Sequence, residues 1–221
     1  PKFHLYHADI GLISGIAWDH INVFPTFENY CEQFRIFADG LPPSGSLIFC
    51  QEDPEVVRVS EDSSTQAERV PYHVPPHRID QGVTRLLTEY GEIPLHVFGR
   101  HNLMNLEGAR LVCQRLGIPS DRFYESIRTF KGASRRLEAL EANSSVAVFK
   151  DFAHSPSKLK ATTAAVREQF PDRKLVACME LHTFSSLNEE FLKQYNGAMA
   201  LADEAIVYFN PHTIAHKKLN A

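Results

Sequence analysis

The sequence predicts an α/β protein built in two units, and three observations carry that expectation. Short apolar runs of strand length alternate with stretches whose apolar residues recur at helical spacing, and strands joined through helices form parallel sheets. Near residue 130 a polar, glycine-containing segment breaks the alternation, which then restarts. The composition is that of a folded chain, 43% hydrophobic and 23% charged over 221 residues, enough for one large domain or two small ones.

Ile10–Ala17 (IGLISGIA) is a mostly apolar run of strand length, expected to be buried on both faces. Phe27, Tyr30, Cys31, Phe34 and Phe37 fall at helical spacing, predicting an amphipathic helix that ends before Gly40. A Pro42-Pro43-Ser44-Gly45 turn leads to a second strand over Ser46–Cys50. Residues 51–92 read as polar and irregular, with weak strands around Glu55–Val59 and Glu68–Val74. A strand is expected over Pro94–Phe98, then a helix from about Asn102 to Leu116 with Leu103, Leu106, Val112, Cys113 and Leu116 inward. Gly117 and Pro119 end it, and Ser120 is placed as the cap of a short helix running to about Thr129. After the break, strands are expected at Val146–Phe149, Lys174–Met179 and Glu204–Phe209, with helices at Ser157–Phe170 and Leu187–Ala202.

Charge and cysteine usage narrow the function. Lys and Arg total 23 against 27 Asp and Glu, a net charge of −4, which gives no footprint for gripping nucleic acid through its phosphates. No polybasic segment is present to hold an anionic membrane. No apolar run approaches the roughly 20 residues of a membrane helix, and the N-terminus lacks the layout of a signal peptide. Cys31, Cys50, Cys113 and Cys178 lie far apart without a CxxC, so reduced, mostly buried thiols are expected rather than a disulfide framework or a zinc site. A cytoplasmic protein with neither nucleic-acid nor membrane partner is the expectation. The chain opens at Pro1 without an initiator Met and stops at Ala221 soon after a strand-like run, so it reads as a fragment.

Chemistry-bearing residues gather where strands give way to helices. Trp18-Asp19-His20 follows the first apolar run, and ligands of open α/β sheets bind beyond the carboxyl ends of the strands; a surface turn is the other reading. In Gly99-Arg100-His101-Asn102-Leu103-Met104-Asn105, two amides three residues apart project from one side of a helical turn. Such amides suit an adenine edge, although Asn102 would equally serve as a helix cap. Ser134-Arg135-Arg136-Leu137-Glu138 offers two guanidiniums, either a planar clamp for phosphate or solvated surface charge. In Asp151-Phe152-Ala153-His154-Ser155-Pro156, Ser155 is a natural N-cap and Pro156 a first helical residue. The helix start there offers an anion site with Asp151 and His154 at its mouth. Glu180–Ser186 repeats the arrangement around His182. Gly40–Gly45 has phosphate-loop glycine spacing but lacks the Lys-Ser/Thr, and no GxGxxG occurs, so the 221 residues contain no phosphate-binding glycine loop.

Taken in order, Trp18-Asp19-His20, His101–Asn105, Arg135–Glu138 and Asp151–Pro156 resemble the Mur ligase family of ATP-dependent amide ligases. The last of these, with Pro1-Lys2-Phe3, looks most like the branch that recycles murein peptide. The resemblance implies that residues 1–130 are the central ATP-binding domain, incomplete and without its P-loop. It makes residues 131–221 part of a Rossmann-like C-terminal domain. It implies an amide ligase using ATP and Mg2+ to join a murein tripeptide to UDP-N-acetylmuramate through an acyl phosphate. It assigns His20 to magnesium, and His101, Asn102, Asn105 and Arg136 to the nucleotide. Asp151, His154 and Arg136 become catalytic, and His182 a substrate contact. The chain has no Lys between His20 and Cys50, so the carbamylated lysine of some relatives is not carried over. Without the phosphate loop, these 221 residues alone are not expected to turn over. A non-catalytic nucleotide- or partner-binding module on the same scaffold, and a folylpolyglutamate synthetase-like ligase, stand as alternatives.

Overall fold

A computed structural model describes residues 2–18, 23–181, 186 and 189–210. The chain forms two compact units. The first comprises Pro1–Arg78, Leu86–Ile93 and Arg100–Arg128; the second comprises Ile79–Arg85, Pro94–Gly99 and Thr129–Ala221.

The first unit is organised by a parallel sheet of β1 (Ile10–Ile13), β2 (Ser46–Cys50) and β3 (Glu68–Tyr72), in that order. Ile10 registers with Ser46, and Cys50 with Tyr72. All five residues of β2 are buried, and their alternation divides the core between two faces. Leu47 and Phe49 pack with Cys31 and Ala38 of α1 (Phe27–Asp39) and with Val56 and Val59 of α2 (Pro54–Asp62). Ile48 and Cys50 meet Met104, Leu111 and Val112 of α3 (Arg100–Arg115) on the other face. Helices on both faces are what a continuously apolar central strand requires.

Several expectations are corrected here. The first strand stops at Ile13 rather than Ala17. The Glu55–Val59 segment is helix, not strand, because Asp53 caps it and Pro54 occupies its first turn, outweighing the β-branched valines. Strand β6 covers Gly91–Pro94, so the strand expected over Pro94–Phe98 lies too late. It belongs to a three-stranded sheet with β4 (His77–Asp80) and β5 (Val83–Thr88), a region expected to be irregular. Leu116, placed inward by periodicity, is 66% exposed, because α3 ends at Arg115 and the backbone turns through Gly117 at φ +81°. Pro119 precedes α4 (Ser120–Ile127) and Ser120 is its first residue, so Ser120 does not cap it.

In the second unit β7 (Glu138–Ala142), which the sequence did not announce, pairs antiparallel with β8 (Ala147–Lys150). Their turn is made by Asn143, whose side-chain oxygen accepts the N–H groups of Ser145 and Val146 at 2.9 and 2.8 Å. Strand β9 (Val176–Leu181) pairs parallel with β10 (Glu204–Phe209). Helix α5 (Pro156–Gln169) contributes Ala165 and Val166 to a core with Phe98, Leu137, Phe149 and Phe170. Its Leu159 joins Met179 and Ala198 in a second cluster. The helix expected over Leu187–Ala202 is shorter, with α6 at Glu189–Leu192 and a 3-10 turn at Lys193–Tyr195. The thiols divide evenly: Cys31 and Cys50 are buried, Cys113 is half-buried and Cys178 exposed, and all four are free.

Candidate functional site

Parallel strands end along one edge, and in the first unit that edge is tied together by acidic side chains just past β2. Asp53 accepts the N–H groups of Glu55 and Val56 on one oxygen, at 2.9 and 3.3 Å, starting α2. Its other oxygen accepts the Ile16 N–H at 2.8 Å, fixing the chain that leaves β1. Both oxygens of Asp53 are thereby engaged by backbone. Glu52 accepts the Val74 N–H at 2.8 Å and forms an ion pair with Arg100, which anchors the start of α3 at this edge. An acidic residue directly after a buried strand was the signal for this tie, and sequence reasoning passed over it.

Asn102 is the third residue of α3, not its cap. It and Asn105 lie three apart and so share a side of the first turns, Asn102 half-buried and Asn105 exposed, with His101 adjacent and half-buried. Trp18 donates its indole N–H to the Phe24 carbonyl at 3.0 Å. Asp19 and His20 lie outside the described residues, as does His182. Among the described residues, no group of three or more His, Cys, Asp or Glu could hold a metal ion.

The second unit brings Arg136, Asp151 and His154 together. Residues Arg135 and Leu137 adopt left-handed backbone conformations, φ 57° and 46°, which non-glycine residues rarely do. This distorted segment is clasped to the chain leaving β8. The Phe152 N–H donates to the Arg135 carbonyl at 2.9 Å, and the Leu137 N–H donates to the Asp151 carboxylate at 3.2 Å. Arg136 is exposed, and its guanidinium lies 5.9 Å from the centre of the Phe152 ring. That ring in turn lies 4.7 Å from the His154 imidazole. Phe152 thus forms a bridge between cation and imidazole that the sequence motif did not reveal. His154 Nδ1 is 3.0 Å from the Phe152 carbonyl, a contact in which Nδ1 carries the proton. Ser155 occupies the N-cap position of α5 with Pro156 in the first turn, as expected, but its hydroxyl makes no capping bond. Asp151, His154 and Arg135 all line a cavity of about 1070 Å³ within this unit.

Residues 3–113 match the Mur ligase middle domain, just over half of the chain. The chain belongs to the Mur ligase family. A UDP-N-acetylmuramate–L-alanine ligase of Desulfitobacterium hafniense is 28% identical over 217 residues, covering 91% of this chain and 47% of that protein. The chain therefore spans about half the length of the curated relatives it matches. Among solved structures, MurF of Acinetobacter baumannii has a TM-score of 0.73 at 14% identity, covering 98% of this chain and 54% of that one. A murein peptide ligase of Psychrobacter arcticus has a TM-score of 0.57 at 15% identity, covering 97% and 52%. At such identities the two structures show a shared Mur ligase fold, in agreement with the α/β class read from the sequence.

Proposed function

We propose that the protein is an ATP-dependent carbon–nitrogen ligase that joins a murein tripeptide to UDP-N-acetylmuramate in the cytoplasm, in peptidoglycan recycling. The observation that carries this reading is the convergence of Arg136, Asp151 and His154 before α5, at positions that match the ligase motif. Each unit taken by itself offers groups that suit part of a nucleotide: in the second, a guanidinium for phosphate and a carboxylate for ribose hydroxyls; in the first, the amides of Asn102 and Asn105 for an adenine edge. In this reading residues 1–130 belong to the central ATP-binding domain and residues 131–221 to the Rossmann-like C-terminal domain. His101 lies beside the adenine amides, His20 holds magnesium, and His182 meets the substrate. ATP supplies the phosphoryl group that activates the lactyl carboxylate. Arg136 neutralises phosphate charge, Asp151 orients the sugar, and His154 assists the attack of the incoming amine.

A second reading has its own support. The Desulfitobacterium relative is named for L-alanine, and in that reaction the amine would be the free amino acid rather than the L-alanyl end of a peptide. One experiment separates the two. The protein, at the full length its coding sequence specifies, is incubated with ATP, Mg2+ and UDP-N-acetylmuramate plus either the tripeptide or L-alanine. ADP release and the amide product are then read by mass spectrometry. Product with the tripeptide supports the proposal, and product with L-alanine alone replaces it with the second reading. ATP binding that weakens in Asn102→Ala, with no amide product from either amine, would point to a non-catalytic nucleotide-binding module.

A further inference from the structure

We propose that Thr162 is a positioning residue that sets the orientation of the Asp151 carboxylate toward a nucleotide ribose, an inference that rests on the site reading above. Two adjacent threonines in α5 use their hydroxyls differently. Thr163 does what a hydroxyl inside a helix ordinarily does, donating back to the carbonyl four residues earlier, Leu159, at 2.8 Å. Thr162 does not. Its hydroxyl reaches out of the helix and donates to Asp151 Oδ2 at 3.0 Å, across eleven residues of sequence. A β-branched residue in a helix interior is a poorer helix former than alanine or leucine, so the hydroxyl is the feature the position gains.

The geometry at Asp151 explains what that hydroxyl does. Both hydrogen bonds to this carboxylate, from the Leu137 N–H at 3.2 Å and from Thr162 at 3.0 Å, land on the same oxygen, Oδ2. Oδ1 accepts no hydrogen bond among the described residues, and a carboxylate has capacity for about four donors. The terminal torsion of an aspartate is broad and roughly two-fold, so one donor would leave the group free to rock. Two donors from different directions, one on the segment after residue 134 and one on α5, fix its plane and keep Oδ1 open. Asp151, Thr162 and Leu137 all line the same 1070 Å³ cavity, so the fixed carboxylate borders open space rather than packed core. A ribose, which presents neighbouring hydroxyl donors, is the chemical class such a single open carboxylate oxygen takes. Thr162 itself need not touch the nucleotide.

The test is an affinity cycle on the full-length protein with ATP as the probe, read by calorimetry. Asp151→Asn is expected to weaken binding about tenfold, the size of a lost hydrogen bond to a charged group. Thr162→Val, isosteric but without the donor, should weaken it about three- to fivefold, while Thr162→Ser, which restores the hydroxyl, stays within about twofold of the parent. The double variant Asp151→Asn/Thr162→Val should bind no more weakly than Asp151→Asn alone, because a residue acting only through Asp151 has nothing left to position. Hydrogen exchange of the Leu137 amide gives a second readout, faster in Thr162→Val and unchanged in Thr162→Ser. Thr162→Val binding as tightly as the parent while Asp151→Asn is weakened would overturn the positioning role, as would losses that add in the double variant. Asp151→Asn binding like the parent is a different failure: it removes the site reading itself, and the inference with it.

Discussion

Asp53 offers the sharpest test of how the first unit is held together. Replacing it by alanine removes three hydrogen bonds at once, two at the start of α2 and one to the N–H of Ile16. Loss of an N-cap costs about 1 kcal/mol. Ile16 is buried, so stranding its N–H adds about 1–3 kcal/mol, giving about 2–4 kcal/mol in all. Asn is as good a cap as Asp but has a single acceptor oxygen, so Asp53→Asn keeps α2 started and loses the Ile16 tie. Its cost should be about 1–3 kcal/mol, below that of the alanine variant by the roughly 1 kcal/mol of the cap. Trp18 is the chain's one tryptophan and belongs to this unit, so its fluorescence in urea follows the unfolding that matters. With a slope near 2 kcal/mol/M, Asp53→Ala should lower the midpoint by about 1–2 M. A shift below about 0.2 M, or identical curves for Asn and Ala, would show that the carboxylate is not bridging the two strand exits.

Two further outcomes follow from the cysteines and from Asp203. Maleimide labelling should modify exposed Cys178 first and half-buried Cys113 next, leaving Cys31 and Cys50, whose thiols burial pushes up, unmodified until the chain unfolds; peptide mapping reads the order. The Asp203 carboxyl is held below its ordinary value of 3.8 by the Leu175 N–H it accepts at 2.7 Å and then by the Arg167 guanidinium. A depressed folded value means that its stabilisation is complete above the unfolded value and is lost as pH falls through the folded one. The Leu175 amide resonance should therefore titrate with a midpoint below 3.8 and lose that inflection in Asp203→Asn; a midpoint at or above 3.8 would contradict the tie.

Much of this architecture could be read from one-dimensional pattern, and the exceptions have physical causes. Helix α1 was legible because five apolar residues share a stripe and Gly40 closes it. Strand β2 was legible because a fully buried strand leaves an unbroken apolar run. Helix α2 was misread because Val56 and Val57 look like strand, whereas the deciding information sits in Asp53 and Pro54 just outside the apolar stretch. Strand β7 (EALEA) escaped because four of its five residues are exposed and glutamate and alanine are poor strand formers, which leaves the Asn143 turn after it as its cue. For the candidate site, the motif order singles out Arg136, Asp151 and His154, three residues that lie close together in the second unit. What no spacing rule conveys is that Phe152 bridges two of them, or that backbone distortion brings the first up to the others.

That distortion constrains which sequences the segment can tolerate. Glycine or asparagine at position 135 would relieve a conformational penalty of about 1 kcal/mol or more, so a screen for thermal resistance alone should drift toward them there; at 137 the lost burial, about 2–5 kcal/mol, outweighs the relief. Leucine at 137 instead fills the core beside Phe98 and Ala165, and arginine at 135 faces the cavity. An engineer who softened either residue to glycine would gain an easier backbone and lose the side chain for which the awkward one is tolerated. Libraries at position 135 are therefore best sorted on ligand affinity, with heat resistance as the secondary filter, whereas at 137 heat resistance itself retains the leucine.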